Sequence, residues 1–388
     1  MPASDTYRER AATLAGGILK QHARDVDTSG RFPRESIAAL GPELLGMCVP
    51  AEFGGGGQGL RPFAAVVDAL AQSCSSTAMV FVMHVSAVQA IAASATLARK
   101  SELLGDVAAG RHLTTLALSE KGSRSQFWAP VSHLVQSNGG LSVSAEKSWV
   151  TSAGNADSYV ASAQKPDAAS PFESTLFLVR RSDPAVRVQR AFDGLGLRGN
   201  DSSPVSLQGL GIADGDLITP QGEGAAAMLQ VILPWFNIGS AAMSNGLCRA
   251  AVGATATHLQ GGAFEHTGTA LRDLPTLRAR LADMAVRTEQ AAALLDKTIG
   301  VLEREANVAP APSAVEGPLF VLLTRLASVE AAVDVTDLAM KACGGAAYSR
   351  HMDLERIFRD ARAGFVMAPT ADHLREFTGR ALTGLPLF

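Results

Sequence analysis

His84 and Asp372 are two side chains of a type that can accept a proton, and each lies in a distinctive segment of the sequence. His84 lies in the middle of a stretch between Asp68 and Arg99 that contains no Asp, Glu, Lys or Arg. Asp372 comes one helical turn after Ala368, behind a Pro-containing break. Histidine and carboxylate side chains are common general bases in proton abstraction. Residue type alone favours the plainer interpretations, a hydrogen-bonded core histidine and a solvated or helix-capping aspartate.

The cysteines and the N-terminal segment favour a reducing, cytoplasmic compartment. The four cysteines are widely scattered and form neither a CxxC pair nor a zinc-like spacing with histidines; they are Cys48, Cys74, Cys248 and Cys343. This pattern predicts reduced, mostly buried thiols and no metal site. Residues 1–17 carry charges of both signs and no apolar core, so they do not resemble a signal peptide.

Composition indicates a globular protein of two or three domains. The 388 residues are 47% hydrophobic and 18% charged, with a formal net charge of −3. The lack of a basic excess and of clustered Lys or Arg excludes a typical nucleic-acid-binding protein. Residues 77–98 are long and apolar enough for a membrane span. Their serines, His84 and Gln89, and the scarcity of large aliphatic residues, favour a buried helix instead.

The elements that would position these residues change in type twice along the chain, which predicts an α+β multidomain protein. Residues 1–112 form a predicted all-helical domain, with helices at 5–25, 35–45, 61–73, 77–96 and 98–108. Residues 113–219 form a predicted antiparallel sheet or barrel, with short strands at 113–118, 133–136, 141–144, 158–163, 174–179, 186–189 and 205–207. Residues 220–388 form a predicted four-helix bundle, with long helices at 223–260, 274–305 and 314–343 and a proline-rich loop at 307–313.

Residues 339–388 carry the most specific pattern. A Gly344-Gly345 pair ends a helix, a charged helical segment follows, and a short break ends at Thr370. The charged segment contains two opposite-charge pairs four residues apart, Glu355 with Arg359 and Arg356 with Asp360. This order resembles the C-terminal signature of the acyl-CoA dehydrogenase family, in which a Gly-Gly turn precedes ER…RDAR and a loop ending in Thr. The order of a helical, a β and a second helical region is also the layout of that family, so the resemblance covers nearly the whole chain.

Two motifs of the middle region resemble the flavin-binding segments of that family. Residues 116–125, LALSEKGSRS, resemble its TEpxaGSD loop, and residues 146–154, EKSWVTSAG, are similar to its GeKxxITNgg strand. The resemblance assigns Leu116 and Leu118 to the strand beneath the flavin, Ser119 and Ser125 to hydroxyl contacts with its ring and pyrophosphate, Trp149 to the isoalloxazine face and Thr151 to the neighbourhood of N5. Taken alone, a Trp in a strand is more often a core residue.

In the predicted C-terminal bundle, departures from the family's sequence imply weaker or rearranged binding of the cofactor. Gly344, Gly345 and Thr370 remain where the family places its adenine-dinucleotide contacts. Residues 264–268 stand where the family commonly has Arg-x-x-Phe-Gly, which reaches the cofactor of a neighbouring subunit, and here only the Gly remains. Lys341 replaces a Gln and either meets a pyrophosphate by charge or lies in solvent. The resemblance implies FAD, with FMN as the alternative.

The main departure from the family concerns its catalytic base. In most members the loop reads Tyr-Glu-Gly-Thr and its Glu is the base, whereas the matching residues here are Met367-Ala368-Pro369-Thr370. The backbone N–H of Ala368 could still polarise a thioester carbonyl, but its side chain cannot take a proton. Other members place the Glu on the first bundle helix, where Phe236 and Asn237 match. The residues expected to line the apolar substrate pocket are His84, Trp235, Phe236 and Ala368.

The resemblance implies α,β-oxidation of an acyl thioester, on CoA or a carrier protein, with hydride transfer to flavin N5. His84 and Asp372 are the candidates for a displaced base. Two alternatives stay open: a monooxygenase or N-hydroxylase that uses reduced flavin and O₂ on the same scaffold, and a catalytically degenerate partner subunit. The expected partners are a small-molecule substrate, an electron-accepting flavoprotein or a flavin reductase, and further copies of the chain in a homodimer or homotetramer. No nucleic acid and no membrane span are expected.

Overall fold

The N-terminal region is built from helices that enclose one very apolar member. The computed structural model describes residues 3–137, 140–306 and 316–387, so the predicted loop at 307–313 lies outside the described residues. The helices are α1 (Ala3–Leu14), continued through a π turn (Ala15–Leu19) into α2 (Lys20–Ser29), α3 (Arg34–Leu45), α4 (Leu60–Ala71), α5 (Ser75–Ala93) and α6 (Lys100–Ala108). All four cysteines are buried and free of disulfides, as the sequence predicts.

The middle region contains two open sheets, and the predicted barrel is wrong. Its strands are β1 (Thr114–Ala117), β2 (Leu134–Ser137), β3 (Gly140–Val150), β4 (Ser158–Gln164), β5 (Ser174–Arg180), β6 (Val186–Val188) and β7 (Ser203–Ile212). One sheet has the order β1-β4-β5 and the other β2-β3-β7-β6. The β1–β4 pair is parallel, so the region is not purely antiparallel either. Local alternation predicts that a segment is a strand, but it does not specify which strands pair across long connections.

The C-terminal region returns to helix. Its elements are α7 (Gly224–Ala227), a π turn (Met228–Ile232), α8 (Leu233–Gly261), α9 (Pro275–Ala306), α10 (Glu316–Cys343), α11 (Gly345–Tyr348), α12 (Leu354–Val366) and α13 (Ala371–Thr383). Pro234 sits in the first turn of α8, directly after the π turn. A proline lacks the N–H of the helical ladder, and a π turn is a common way to accommodate such a local defect. The helix therefore widens at Pro234 and does not stop.

Among the described residues, two helices are long and apolar enough to cross a membrane. They are α5, whose apolar window is 83% buried inside the protein, and the segment Gly224–Gly261, whose window is 50% buried. Burial of α5 agrees with the predicted core helix, because an all-round apolar helix is stable when other elements surround it. The absence of a membrane span stays a prediction.

The ER…RDAR helix, α12, holds the three regions together. Arg359 pairs with Glu355 at 2.7 Å on its own helix and with Asp27 of α2 at 2.6 Å. Asp360 accepts hydrogen bonds from the backbone N–H of Leu197 at 2.6 Å and from the Ser75 hydroxyl. A side chain at Gly196 would meet the Arg359 carbonyl oxygen at 2.4 Å, so the 195–199 loop needs a glycine to approach this closely.

The two charged pairs predicted on α12 have different outcomes. Glu355 and Arg359 form an ion pair, as predicted. The Arg356 guanidinium instead donates to the carbonyl oxygen of Ser73 at 3.2 Å, and Asp360 takes partners from the middle and N-terminal regions. The pKa of Asp360 is raised above its ordinary value because burial outweighs the opposing effects of the Arg356 charge and of the two hydrogen bonds. The motif therefore serves interdomain contacts.

Candidate active site

The two segments predicted to hold a flavin lie side by side. The backbone N–H of Ser148 donates to the carbonyl oxygen of Ser119 at 2.9 Å. One residue along each segment, the ammonium of Lys147 meets the carboxylate of Glu120 at 2.6 Å, with side chains 0% and 3% exposed. The segment that follows β1 and strand β3, which contains Trp149, are therefore fixed to each other by a buried ion pair.

The sequence analysis did not predict this ion pair, although each motif contains one of its partners. Glu120 belongs to the first motif and Lys147 to the second. The Glu120 carboxylate also accepts from the backbone N–H groups of Val131 at 2.6 Å and Ser132 at 2.8 Å. Lys147 donates in addition to the carbonyl oxygen of Ser162. Burial raises the pKa of Glu120, but the charge of Lys147 and these hydrogen bonds outweigh it and hold the pKa below its usual value. Buried charges persist when they are paired and hydrogen-bonded in this way.

Trp149 presents a large apolar side chain to the outside of this junction. The side chain is 68% exposed, and its backbone has φ +59°, which is uncommon for a bulky residue. The ring of Phe192 packs against it edge-on, at 6.3 Å between centroids, and Leu195, three residues after Phe192, is 65% exposed. Strained backbone and uncovered apolar surface mark places where a ligand or partner binds. This surface suits the face of a planar aromatic cofactor.

The other predicted flavin contacts differ in their burial and in their hydrogen bonds. Thr151 is buried, and its hydroxyl shares a hydrogen bond with that of Ser202 at 3.0 Å. Leu116 and Leu118 are buried at the end of β1. Ser125 is half-buried in a loop where it has φ +68°. The segment thus offers an apolar floor with hydroxyl groups at its edge.

Ala368 belongs to the same apolar cluster as the end of β1. Cluster members include Leu116 and Leu118, with contributions from α5, the π turn, α10 and α13, namely Val88, Ile232, Leu322, Leu374 and Phe377. Ala368 is half-buried at the edge of this cluster. Within the described residues no hydrogen-bond partner is found for its backbone N–H. The loop at Ala368, where the resemblance predicts the family's base, therefore packs against the same apolar cluster as the predicted flavin strand.

His84 is a fully buried crosslink between α5, α3 and β1. Its Nδ1 accepts from the backbone N–H of Thr114 at 3.2 Å, and its Nε2 lies 3.1 Å from the carbonyl oxygen of Leu45. These partners assign the neutral ring with its proton on Nε2. Burial lowers the pKa of His84 to about 4. Both ring nitrogens are engaged by the main chain, which favours the core-histidine interpretation over that of a base.

Asp372 and its neighbour His373 lie on the first turn of α13. The Asp372 side chain is 86% exposed and pairs with Arg375 at 2.8 Å, as a solvated aspartate would. His373 is half-buried, and its Nδ1 lies 3.0 Å from the hydroxyl of Thr370, which also caps the helix. His373 was missed by sequence reasoning. The spacing Thr-x-x-His at a helix start, where side chains return to the cap, was the available signal.

Of the predicted contacts of the bundle half, Gly344 and Gly345 lie at an exposed end of α10, whereas Thr370 caps α13. Gly344 has φ +56°, which favours glycine, and a Cβ at Gly344 or Gly345 would meet nothing within 4 Å. Lys341 is exposed, and its carbonyl oxygen accepts from Arg280 at 3.0 Å. A cleft of about 520 Å³ lies near the start of α9 and is lined in part by two further cations, Arg272 and Arg278.

The predicted pocket residues of α8 face two different environments. Trp235 packs against the ring of Phe63 at 5.3 Å between centroids. Phe236 is 9% exposed and lies 5.9 Å from the guanidinium carbon of Arg325 on α10. Asn237 is fully buried, and neither atom of its amide group has a partner among the residues described. No group of three or more His, Cys, Asp or Glu side chains suited to a metal ion is found in the described ranges.

Three family models match consecutive parts of the chain. They are the N-terminal, middle and C-terminal domains of acyl-CoA dehydrogenase, at residues 2–111, 115–210 and 222–383. The chain belongs to the acyl-CoA dehydrogenase family. This membership confirms the predicted family, the helical, β, helical order of its regions and the enzyme class, a flavin-dependent oxidoreductase.

Individual acyl-CoA dehydrogenase relatives match over nearly the whole length. Cyclohex-1-ene-1-carbonyl-CoA dehydrogenase of Syntrophus aciditrophicus is 25% identical over 378 residues, 96% of this chain and 88% of that protein. The structure of butyryl-CoA dehydrogenase from Megasphaera elsdenii has a TM-score of 0.91 at 20% identity and covers 99% and 98% of the two chains. The FAD complex of PigA has a TM-score of 0.88 at 19% identity and covers 99% and 98%. At these identities the structural likeness shows the fold.

Proposed function

We propose that this acyl-CoA dehydrogenase family member oxidises an acyl thioester at the α and β carbons, with FAD as its cofactor. The observation that carries the proposal is the junction at Glu120 and Lys147. It joins the two predicted flavin segments and turns the end of β1 toward the cluster that contains Ala368. A flavin bound there would accept the hydride that leaves the β carbon.

The chain's own residues support this assignment at the ring end of the cofactor. Trp149 offers exposed apolar surface, Ser119 is held beside the Trp149 strand by its hydrogen bond with Ser148, and Ser119 and Ser125 are both half-buried. The proposal of FAD over FMN rests on the exposed Gly344–Gly345 turn and the cations beside it, which suit a diphosphate and a second nucleotide. The relation to a protein solved as a FAD complex agrees with that choice.

The polarisation of the thioester carbonyl is assigned to the backbone N–H of Ala368. A donor without a protein partner, at the edge of an apolar cluster, stabilises developing negative charge on a carbonyl oxygen more strongly than a donor in water. The methyl group of Ala368 leaves space where most relatives have a carboxylate. The substrate pocket would then run from Ala368 toward Trp235 and Phe236.

We place the proton acceptor at His373 in preference to His84 and Asp372. His84 is engaged at both nitrogens, and Asp372 is in solvent with Arg375. His373 is half-buried next to Thr370, and its ring stacks on Phe377, a member of the cluster around Ala368. A base that shares the apolar cluster with the reacting carbon can be brought within hydrogen-bond reach by substrate binding.

An anaerobic spectral titration tests the proposal. The purified protein, reconstituted with FAD, is mixed with straight-chain, branched and carrier-protein-linked acyl thioesters without oxygen. Bleaching of the flavin band by at least one thioester is expected. His373→Gln should slow bleaching, while Asp372→Asn on the neighbouring residue serves as the matched control and should not. Bound flavin that never bleaches, but supports product formation with a flavin reductase and O₂, would overturn the proposal in favour of an oxygenase.

We further propose a cytoplasmic homodimer or homotetramer packed through the C-terminal bundle, with an electron-accepting flavoprotein as redox partner. The exposed apolar side chains of Tyr348 and Val366, 84% and 67% exposed, support a contact on that side. Light scattering should give a mass of two or four chains. A monomer at micromolar concentration would contradict the proposed oligomer but would leave the proposed reaction unaffected.

A further inference from the structure

The ring of His373 is held by three contacts. Its Nδ1 lies 3.0 Å from the hydroxyl oxygen of Thr370. The ring stacks on that of Phe377, with 5.9 Å between the centroids and 22° between the planes. The ring of Trp128 meets it edge-on, at 6.4 Å and 81°. These contacts fix one orientation of the imidazole, because a rotation of the side chain would break several of them at once.

Trp128 connects this arrangement to the predicted flavin loop. It comes three residues after Ser125 in the segment that follows β1, and it is 2% exposed. Its ring also packs against that of Phe377, at 5.6 Å between centroids. Aromatic rings packed edge to face in this way stabilise one mutual geometry. His373 is therefore fixed relative to the predicted flavin loop as well as to its own helix, α13.

The two ring nitrogens of His373 differ in their contacts. Nδ1 has the hydroxyl of Thr370, whereas no hydrogen-bond partner is found for Nε2 among the residues that the structure describes. His84 shows the opposite arrangement, since the main chain engages both of its nitrogens. His373 is also half-buried, where His84 is fully buried. The protein therefore leaves Nε2 of His373 available to a bound substrate.

The hydroxyl of Thr370 determines which nitrogen of His373 carries the ring proton. Its oxygen accepts from the backbone N–H of His373 at 3.3 Å, which caps α13. A hydroxyl oxygen has a second acceptor site and one proton of its own. If the oxygen also accepts from Nδ1–H, the ring lone pair stays on Nε2. If the hydroxyl donates to Nδ1 instead, Nε2 carries the ring proton, so only the first tautomer provides a base at Nε2.

We propose that Thr370 is a positioning residue that accepts from Nδ1–H of His373 and so keeps Nε2 free to take the α proton of the acyl group. The α C–H bond breaks, its proton goes to Nε2, and its electron pair becomes the new double bond as the β hydride leaves for the flavin. The imidazolium that forms keeps its Nδ1–H bonded to Thr370. This inference rests on the proposed function, which places the base at His373. It gives Thr370 a role other than the cofactor contact that the family resemblance implies.

Proton–nitrogen NMR tests the tautomer without turnover. The histidines of the full-length protein are labelled with an NMR-active nitrogen isotope, and spectra are taken at alkaline pH, where imidazole rings are neutral. The signals of His373 are those that His373→Gln removes. Wild type and Thr370→Asp should both show a protonated Nδ1 and a bare Nε2, since a carboxylate can only accept. A protonated Nε2 with a bare Nδ1 in wild type would overturn the proposal.

Variants of Thr370 separate the positioning role from helix capping. Glycine is nearly as good an N-cap as threonine, so Thr370→Gly removes the hydroxyl with little change in the unfolding temperature. The limiting rate of anaerobic flavin bleaching should fall at least about tenfold, because a positioned base contributes about 10²–10⁴. The thioester concentration at half-maximal rate should stay the same. T370S and T370D keep an acceptor oxygen and should bleach at nearly the wild-type rate. Thr383→Gly, at the other end of α13, is the matched control and should leave the rate unchanged.

The outcomes distinguish a failure of this inference from a failure of the proposed function. If H373Q bleaches slowly but T370G bleaches like wild type, the role of Thr370 is overturned and the base stays at His373. If H373Q bleaches like wild type, the base assignment and this inference fall together. If T370G loses rate only in proportion to a lower unfolding temperature, the hydroxyl serves the fold and the proposal is overturned. If no thioester bleaches wild type, the proposed reaction fails, and the tautomer seen by NMR still decides whether Thr370 orients the ring.

Discussion

Replacing Lys147 by Met should loosen the flavin site from within. The substitution keeps a similar chain length but removes the ammonium that lies 2.6 Å from the Glu120 carboxylate. Breaking a buried pair by removing one partner costs about 3–5 kcal/mol. Glu120 keeps the backbone donors of Val131 and Ser132, so the lower end, about 3 kcal/mol, is expected. Because Ser119 and Trp149 lie beside the pair in sequence, flavin affinity should fall with stability.

The chain supplies its own control for this prediction. Lys165 and Glu173 form an ion pair with the same separation, 2.6 Å, but both side chains are 36% exposed. Solvent-exposed pairs contribute little, so Lys165→Met should leave the urea midpoint and the flavin affinity unchanged. Urea unfolding followed by Trp fluorescence, together with flavin release, measures both quantities. The reasoning is refuted if K147M and K165M shift the midpoint equally.

Three further predictions concern the buried polar groups and the missing base. The folded-state pKa of His84, about 4, lies below the ordinary value of 6.5, so its stability contribution is complete above pH 6.5 and is lost as pH falls toward 4. The loss amounts to about 3.4 kcal/mol, and His84→Gln should remove that part of the acid sensitivity in urea titrations at stepped pH. Asp360→Asn should cost about 1–3 kcal/mol, because two buried donors are left imperfectly paired; protease nicking at 195–199 would report the loosened loop. Ala368→Glu should speed anaerobic flavin bleaching, and unchanged stopped-flow rates would contradict the assigned position of the loop.

Much of the architecture follows from local patterns. The long helices begin and end within a few residues of their predicted bounds, because apolar periodicity, Gly344 and Pro275 are local signals. The sheet topology was not predictable in this way. The parallel pairing of β1 with β4 joins segments more than forty residues apart. The alternation of apolar and polar residues within a strand does not specify which other strand it pairs with.

In the candidate site, too, local features are predictable from the sequence and long-range contacts are not. The Ser119 and Trp149 segments are recognisable by motif, and the structure brings them together. The partners that decide roles are distant in sequence: His84 meets Thr114 and Leu45, and Asp360 meets Leu197. Arg325 looks like any other arginine on an amphipathic helix until its burial is known. Burial and long-range pairing are tertiary properties, so the sequence left His84 as a candidate base beside the core-histidine interpretation, which its hydrogen bonds favour.

Hydride transfer from the β carbon is the central claim, and one rapid-reaction measurement addresses it. The FAD-loaded enzyme is mixed anaerobically with its best acyl thioester, unlabelled or deuterated at the β carbon, and the loss of flavin absorbance is followed. We expect the flavin to bleach without oxygen, β-deuteration to slow the bleaching, and the enoyl thioester to be the product. A flavin that stays oxidised with every thioester, or bleaching at the same rate with both isotopologues and no enoyl product, would contradict it.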